Sequence, residues 1–215
     1  VLVVQMELKP DDYHRRISAV LFSMGLKRDS LGGRLFVYNG RGVEGLLGDR
    51  LKGLMHEIRS VKADVIIFDP LYKLLDGDEN RSEDVKPTLL AFDKITRETG
   101  ATVVYVHHNP KGVAGDRARI DRGAGSGVLA RDFDLGIYLT QHCDQGFFVI
   151  ETEPRNYPQT APFTVERVGA GSYIRRDDVE PVVRTSWNHK RKQTGPSKQH
   201  LATKALDVLQ RRDTW

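Results

Sequence analysis

The sequence predicts an α/β fold, a mostly parallel sheet with flanking helices, followed by antiparallel strands at the C-terminal end. Three observations predict it. Val65-Ile66-Ile67-Phe68-Asp69 and Thr102-Val103-Val104-Tyr105-Val106-His107-His108 are near-continuous apolar runs that end in polar groups, as strands buried on both faces do. Segments with helical spacing alternate with such runs, which is the signature of right-handed crossovers between parallel strands. After Arg131 the spacing changes to short β-type runs separated by turn residues.

The elements follow in order. Leu2 to Met6 reads as a strand. Pro10 opens a helix carrying Tyr13, Ile17, Val20, Leu21 and Met24 until Gly25 stops it. Arg34 to Tyr38 is a short strand. Glu44 to Val61 repeats Leu47, Leu51, Leu54 and Ile58 at helical spacing and leads into a strand from Asp64 to Asp69. Ser82 to Thr99 carries Val85, Leu89, Phe92 and Ile95 on one face, takes Pro87 in its first turn and ends at Gly100. Leu135 to Thr140, Phe147 to Thr152, Phe163 to Arg167 and Ser172 to Ile174 are the later strands, expected to extend the sheet antiparallel.

At 215 residues the chain can bury one good core. No apolar run is long enough to span a bilayer and no charged-then-apolar leader is present, so no membrane partner is expected. The single Cys143 forms no internal disulfide, which fits a reducing, cytoplasmic compartment. Net charge is +4, unevenly spread: from Arg184 to Trp215 eight Lys/Arg stand against two Asp, and the body up to Val183 carries 25 basic and 27 acidic residues. Residues 1–183 thus form the expected core domain, and 184–215 a basic linker with a short helix over His200 to Arg212. That tail reads equally as a solvated terminus or as a nucleic-acid contact.

Residues at the carboxyl ends of parallel strands face a ligand crevice. Asp69 ends a strand, where an aspartate can hold a Mg²⁺-bound water beside nucleotide phosphates or cap the loop that begins at Pro70. Glu7 ends the first strand, as a base for an attacking water or as a cap. Alternation sends His107 and His108 to opposite faces, so one of them points at the crevice, either as a hydrogen-bond donor to a phosphate or as a structural histidine. Metal ligation by this pair is a poor reading, since no further His/Cys cluster has ligand spacing. Lys111, Arg117, Arg119 and Arg122 lie in a Gly-rich stretch too polar for a core, a loop suited to nucleic-acid phosphates or to plain solvation. Arg155, in the turn Arg155-Asn156-Tyr157-Pro158, can complete a neighbouring subunit's nucleotide site or pair with Glu151 or Glu153.

Glu7, then VIIFDPLYKLLDGDEN, VVYVHHNPKG, RGAGSGVLARDFDLGIYL and ETEPRNYP, in that order, resemble the RecA-like ATPase core of hexameric helicases, in particular the plasmid RepA type and more distantly the DnaB group. The resemblance runs from Val1 to about Ile174. It implies ATP and Mg²⁺ as cofactors, a homo-oligomer working as a hexameric ring, single-stranded DNA in the channel, and a primase or replication initiator as a further partner. It also implies roles. Glu7 is the catalytic glutamate, Asp69 the aspartate that holds Mg²⁺ through water, and His108 the γ-phosphate sensor. Arg155 is the arginine finger, and Lys111, Arg117, Arg119 and Arg122 face the DNA, with Arg122 the best placed.

Two departures qualify the match. Glu153 stands where the related helicases often have lysine, two residues before the finger. No G-x-x-x-x-G-K-[ST] occurs, and the glycines between Gly40 and Gly48 do not substitute for it. The chain opens with Val1 on what the resemblance makes the second strand, so a strand, P-loop and helix of about 30 residues or more are expected to precede it. Other expectations from the same residues are a non-catalytic DNA-binding or assembly module, and a RecA-like recombination or clock-type ATPase.

Overall fold

The computed structural model describes residues 1–43, 45–108, 114–116, 127–169 and 171–186. Its first half is a parallel sheet of β1 (Leu2–Gln5), β2 (Phe36–Asn39), β3 (Val65–Asp69) and β4 (Thr102–Tyr105), in the order β2-β1-β3-β4. The crossovers are α1 (Pro10–Ser23) between β1 and β2, α2 (Asp49–Val61) between β2 and β3, and α3 (Ser82–Thr99) between β3 and β4. This is the predicted α/β fold, down to the bounds of α3 and the left-handed Gly100 (φ 72°) that ends it. Pro87 is the sixth residue of α3, one turn deeper than expected, and the helix continues through it.

The core lies on one side of this sheet. Leu2, Val4 and Met6 of the first strand and its end, and Ile66 and Phe68 of β3, pack with Leu54, Met55 and Ile58 of α2 and Val85, Leu89, Phe92 and Ile95 of α3. The i, i+3, i+4, i+7 spacing of these helix residues gives each helix one apolar stripe, and the two stripes close over alternate strand residues. Phe68 is the centre: it is fully buried and its ring stacks on Phe92 at 4.8 Å, which in turn stacks on Tyr105 at 5.7 Å. Phe68→Ala should therefore cost about 3–5 kcal/mol and lower the melting temperature by roughly 10 °C, as read by thermal denaturation.

The second half corrects one expectation. β5 (Leu135–Gln141), β6 (Phe147–Pro154), β7 (Phe163–Arg167) and β8 (Tyr173–Arg176) are antiparallel as predicted, but they pair with one another in a sheet of their own, β5-β6-β7-β8, and do not extend the first. Each pairs with its neighbour in sequence across a connection of five to eight residues, so hairpin pairing satisfies their backbones without any strand of the first sheet. A one-turn helix α4 (Leu129–Asp132) precedes them, and its Leu129 joins the first half's core.

α2 begins at Asp49, five residues later than its apolar spacing implied, because Gly48 before it adopts φ 65°, which interrupts a right-handed helix. The basic loop with Lys111, Arg117, Arg119 and Arg122, and the linker and helix expected after Ser186, lie outside the described residues. Among the described residues no helix is long and apolar enough to cross a membrane.

Candidate functional site

Strand parity decides which side chains meet. In β1 and β3 the even-numbered residues face the core, so Gln5 and Asp69, which are register partners, point to the opposite face. Glu7, two residues past Gln5, falls on that same side. In β4 it is Val103 and Tyr105 that pack on the core, and His107 shares their parity while His108 does not. The backbone holds these strand ends together: the Met6 N–H donates to the Asp69 carbonyl at 2.9 Å, the Val106 N–H to the Phe68 carbonyl at 2.8 Å and the Leu71 N–H to the Val106 carbonyl at 2.8 Å.

Three sequence-predicted residues thereby converge at the carboxyl ends of β1, β3 and β4. His108 Nε2 lies 3.9 Å from Glu7 Oε2. Asp69, half-buried, senses both charges: burial first raises its pKa, His108 lowers it, Glu7 raises it, and Arg16 of α1 lowers it. Tyr13 of α1 is close enough to Asp69 for that carboxylate, after burial itself, to raise the phenol's pKa. The Tyr72 hydroxyl, in the 3-10 turn Leu71–Leu74 after the cis Asp69–Pro70 bond, donates to Glu7 Oε1 at 3.4 Å, and its ring lies 6.4 Å from that of His108.

His107 is the other member of the pair. Its Nδ1 is buried and has no hydrogen-bond partner among the described residues, and burial lowers its pKa, favouring the neutral ring. A base whose folded pKa is depressed contributes stability that is present above the unfolded value, about pH 6.5, and is lost as pH falls through the folded value. Melting temperature should therefore drop more steeply on acidification from about pH 7.5 to 5.5 in the wild type than in His107→Gln, in thermal scans at matched ionic strength.

Arg155 is not brought to this group. Its guanidinium donates to the Arg131 carbonyl and lies 3.7 Å from Asp134, so its ion-pair partner is Asp134, where the alternative reading of the sequence named Glu151 or Glu153. It is also within electrostatic reach of Tyr105, whose hydroxyl is buried, without a partner among the described residues, and pushed up to about 12 chiefly by that burial.

Tyr72, Tyr13, Arg16, Gln5 and Asn39 also belong to this group, none of them marked as a site residue by the sequence motifs. Gln5 alone left a signal, a long polar side chain inside the apolar run Leu2-Val3-Val4-Gln5-Met6. A further cluster brings ligand atoms of His142, Cys143 and Asp144 within 4.8 Å of one another. Both imidazole nitrogens there are engaged, Nδ1 accepting the Asp144 backbone N–H at 2.9 Å and Nε2 donating to the Glu180 carbonyl at 2.8 Å, so the ring fastens the β5–β6 turn.

The family model described as the AAA domain matches residues 1–114, just over half of the 215-residue chain. The chain belongs to the AAA domain family. No curated protein matches it. The matched part of the AAA domain holds β1 to β4 and all three converging residues, and marks a nucleotide-binding ATPase domain; Arg155 and β5 to β8 fall outside the match. Nucleotide with Mg²⁺ fits the donor set of this AAA domain. Asp69 and Glu7 offer hard oxygen donors whose mutual repulsion a divalent cation would relieve, and hydrated Mg²⁺ is held by one or two carboxylates.

Proposed function

We propose that this chain is the core of a RecA-like ATPase that couples ATP hydrolysis to movement on single-stranded DNA, of the RepA-like helicase type that serves replication of a plasmid, phage or mobile element. The observation that carries the reading is the convergence of Glu7, Asp69 and His108 on one face at the ends of three parallel strands. Asp69 would hold the hydrated Mg²⁺, which when bound neutralises charge on the nucleotide phosphates. Glu7 takes the proton of the attacking water, being the more exposed carboxylate and the one that accepts directly from the Tyr72 hydroxyl. His108 donates a hydrogen bond to the terminal phosphate from the same face.

Arg155 acts on a different nucleotide, that of the adjoining subunit in a hexameric ring. Its guanidinium is held by Asp134 and the Arg131 carbonyl and has no bond to Glu7, Asp69 or His108 among the described residues, which suits a group supplied across an interface. Lys111, Arg117, Arg119 and Arg122 supply the cations for the single-stranded DNA backbone, and a primase or replication initiator is the further partner.

The protein made from its full reading frame should hydrolyse ATP, faster with single-stranded DNA than without. A second reading is favoured by the lack of G-x-x-x-x-G-K-[ST] in residues 1–215: a DNA-binding or assembly module without turnover. DNA binding that is intact and indifferent to ATP, with no hydrolysis, would select it.

A further inference from the structure

Gln5 is 1% exposed, yet it is the one long polar side chain on the buried part of β1. Its carboxamide makes three hydrogen bonds, using both amide hydrogens and one acceptor position of the oxygen. Oε1 accepts the Leu8 backbone N–H at 2.9 Å, and Nε2 donates to the Leu8 carbonyl at 3.0 Å and to Asn39 Oδ1 at 2.7 Å. Both polar groups of one residue's backbone are therefore tied to one side chain three positions earlier, and Glu7 stands inside that closed loop.

The surroundings fix the direction of this tie. Gln5 is the register partner of Asn39 on one side and of Asp69 on the other, so Asn39, Gln5 and Asp69 form a polar row across three strands at the mouth of the site. The amide turns away from Asp69 and toward Asn39 and Leu8. None of its three bonds goes to the core side of the sheet, where Val4 and Met6 pack. A residue serving only stability at this place would be met by an apolar side chain, as at Val3, since burying an amide gives little net stability even when every hydrogen bond is made.

We propose that Gln5, held by Asn39, is the positioning residue for Glu7: it ties the backbone just after the glutamate back to the end of β1 and so sets its carboxylate against the water it activates. The role rests on Glu7 being the base in ATP hydrolysis. Gln5 touches no reacting group and acts only through the segment it pins.

Gln5→Met keeps length and removes all three bonds. In the full-length protein it should lower kcat about tenfold and leave KM for ATP within about twofold. Asn39→Ala, at an exposed position, leaves both bonds to Leu8 and should lower kcat about two- to threefold, with no further loss when added to Gln5→Met. In single-turnover reactions with excess enzyme, Gln5→Met added to Glu7→Gln should cost nothing more, because Gln5 works through Glu7. Amide exchange should show the Leu8 N–H unprotected in Gln5→Met while the amides of Ile66 and Phe68 keep their protection.

Wild-type kcat in Gln5→Met, or a full independent loss on top of Glu7→Gln, overturns the proposal, provided Glu7→Gln alone is inactive. Full turnover in Glu7→Gln would instead remove the base assignment on which the proposal rests. Should Gln5→Met not fold, Asn39→Ala decides: unchanged kcat there overturns the role of the pair.

Discussion

Asp69→Asn is expected to lower ATP turnover by about a hundredfold or more and to leave the fold at least as stable as the wild type. The two effects have one cause. The carboxyl sits half-buried at the end of β3, and burial, with Glu7 adding to it, raises its pKa against the opposing pull of His108 and Arg16. A carboxyl whose folded pKa lies above its unfolded value costs folding free energy when ionised. That cost is present at neutral pH, shrinks as pH falls through the folded value, and vanishes once both states are protonated. Asparagine keeps the shape and removes the charge. Its melting temperature should therefore exceed the wild type's by roughly 2 °C near pH 7, and the gap should close toward about pH 3. Differential scanning across that range, beside a turnover assay, reads both. A fold that is weaker at pH 7 and inactive would mean that Asp69 serves as a structural cap of the loop at Pro70.

Glu7→Gln is expected to lower kcat by about 10²- to 10⁴-fold, the range for losing a positioned general base, with ATP binding retained. Glutamine matches the volume and can still accept from the Tyr72 hydroxyl, so the 3-10 turn after β3 keeps its contact with the end of β1. What it cannot do is take a proton. The two substitutions separate by their binding behaviour: Asp69→Asn should weaken the dependence of nucleotide binding on Mg²⁺, whereas Glu7→Gln should leave it intact. Equilibrium binding of a fluorescent nucleotide at varied Mg²⁺ makes the distinction. A Glu7→Gln protein that turns over at the wild-type rate would remove the base from this position.

Much of this arrangement was legible from local chemistry. α3 was legible to its bounds because the apolar stripe of Val85, Leu89, Phe92 and Ile95 and the stop at Gly100 agree, although Pro87 lies one turn deeper than expected. β3 was legible because its apolar run ends in a charge. Pairing between distant segments was not. β5 to β8 carry the alternation of half-buried strands, which says that they pair antiparallel but not with which sheet. The choice between His107 and His108 needed one fact outside their own strand, that Tyr105 packs toward Phe92, which sends His108 to the other face.

Arg155 shows the same limit. Glu151 and Glu153 are near in sequence, yet the β5–β6 register sets Pro154 opposite Leu135 and so brings Asp134 to the guanidinium. Gln5 was the reverse case: a polar residue inside an apolar strand was visible in the sequence, and only its partners required the fold.

The most direct measurement is ATP hydrolysis by the protein from its full reading frame, with and without single-stranded DNA, beside its Asp69→Asn variant. The predicted result is turnover that rises with DNA and is lost in the variant. Turnover absent from both proteins while DNA binding persists, or equal in both, would contradict the assignment of this strand-end cluster as the centre of a DNA-dependent ATPase.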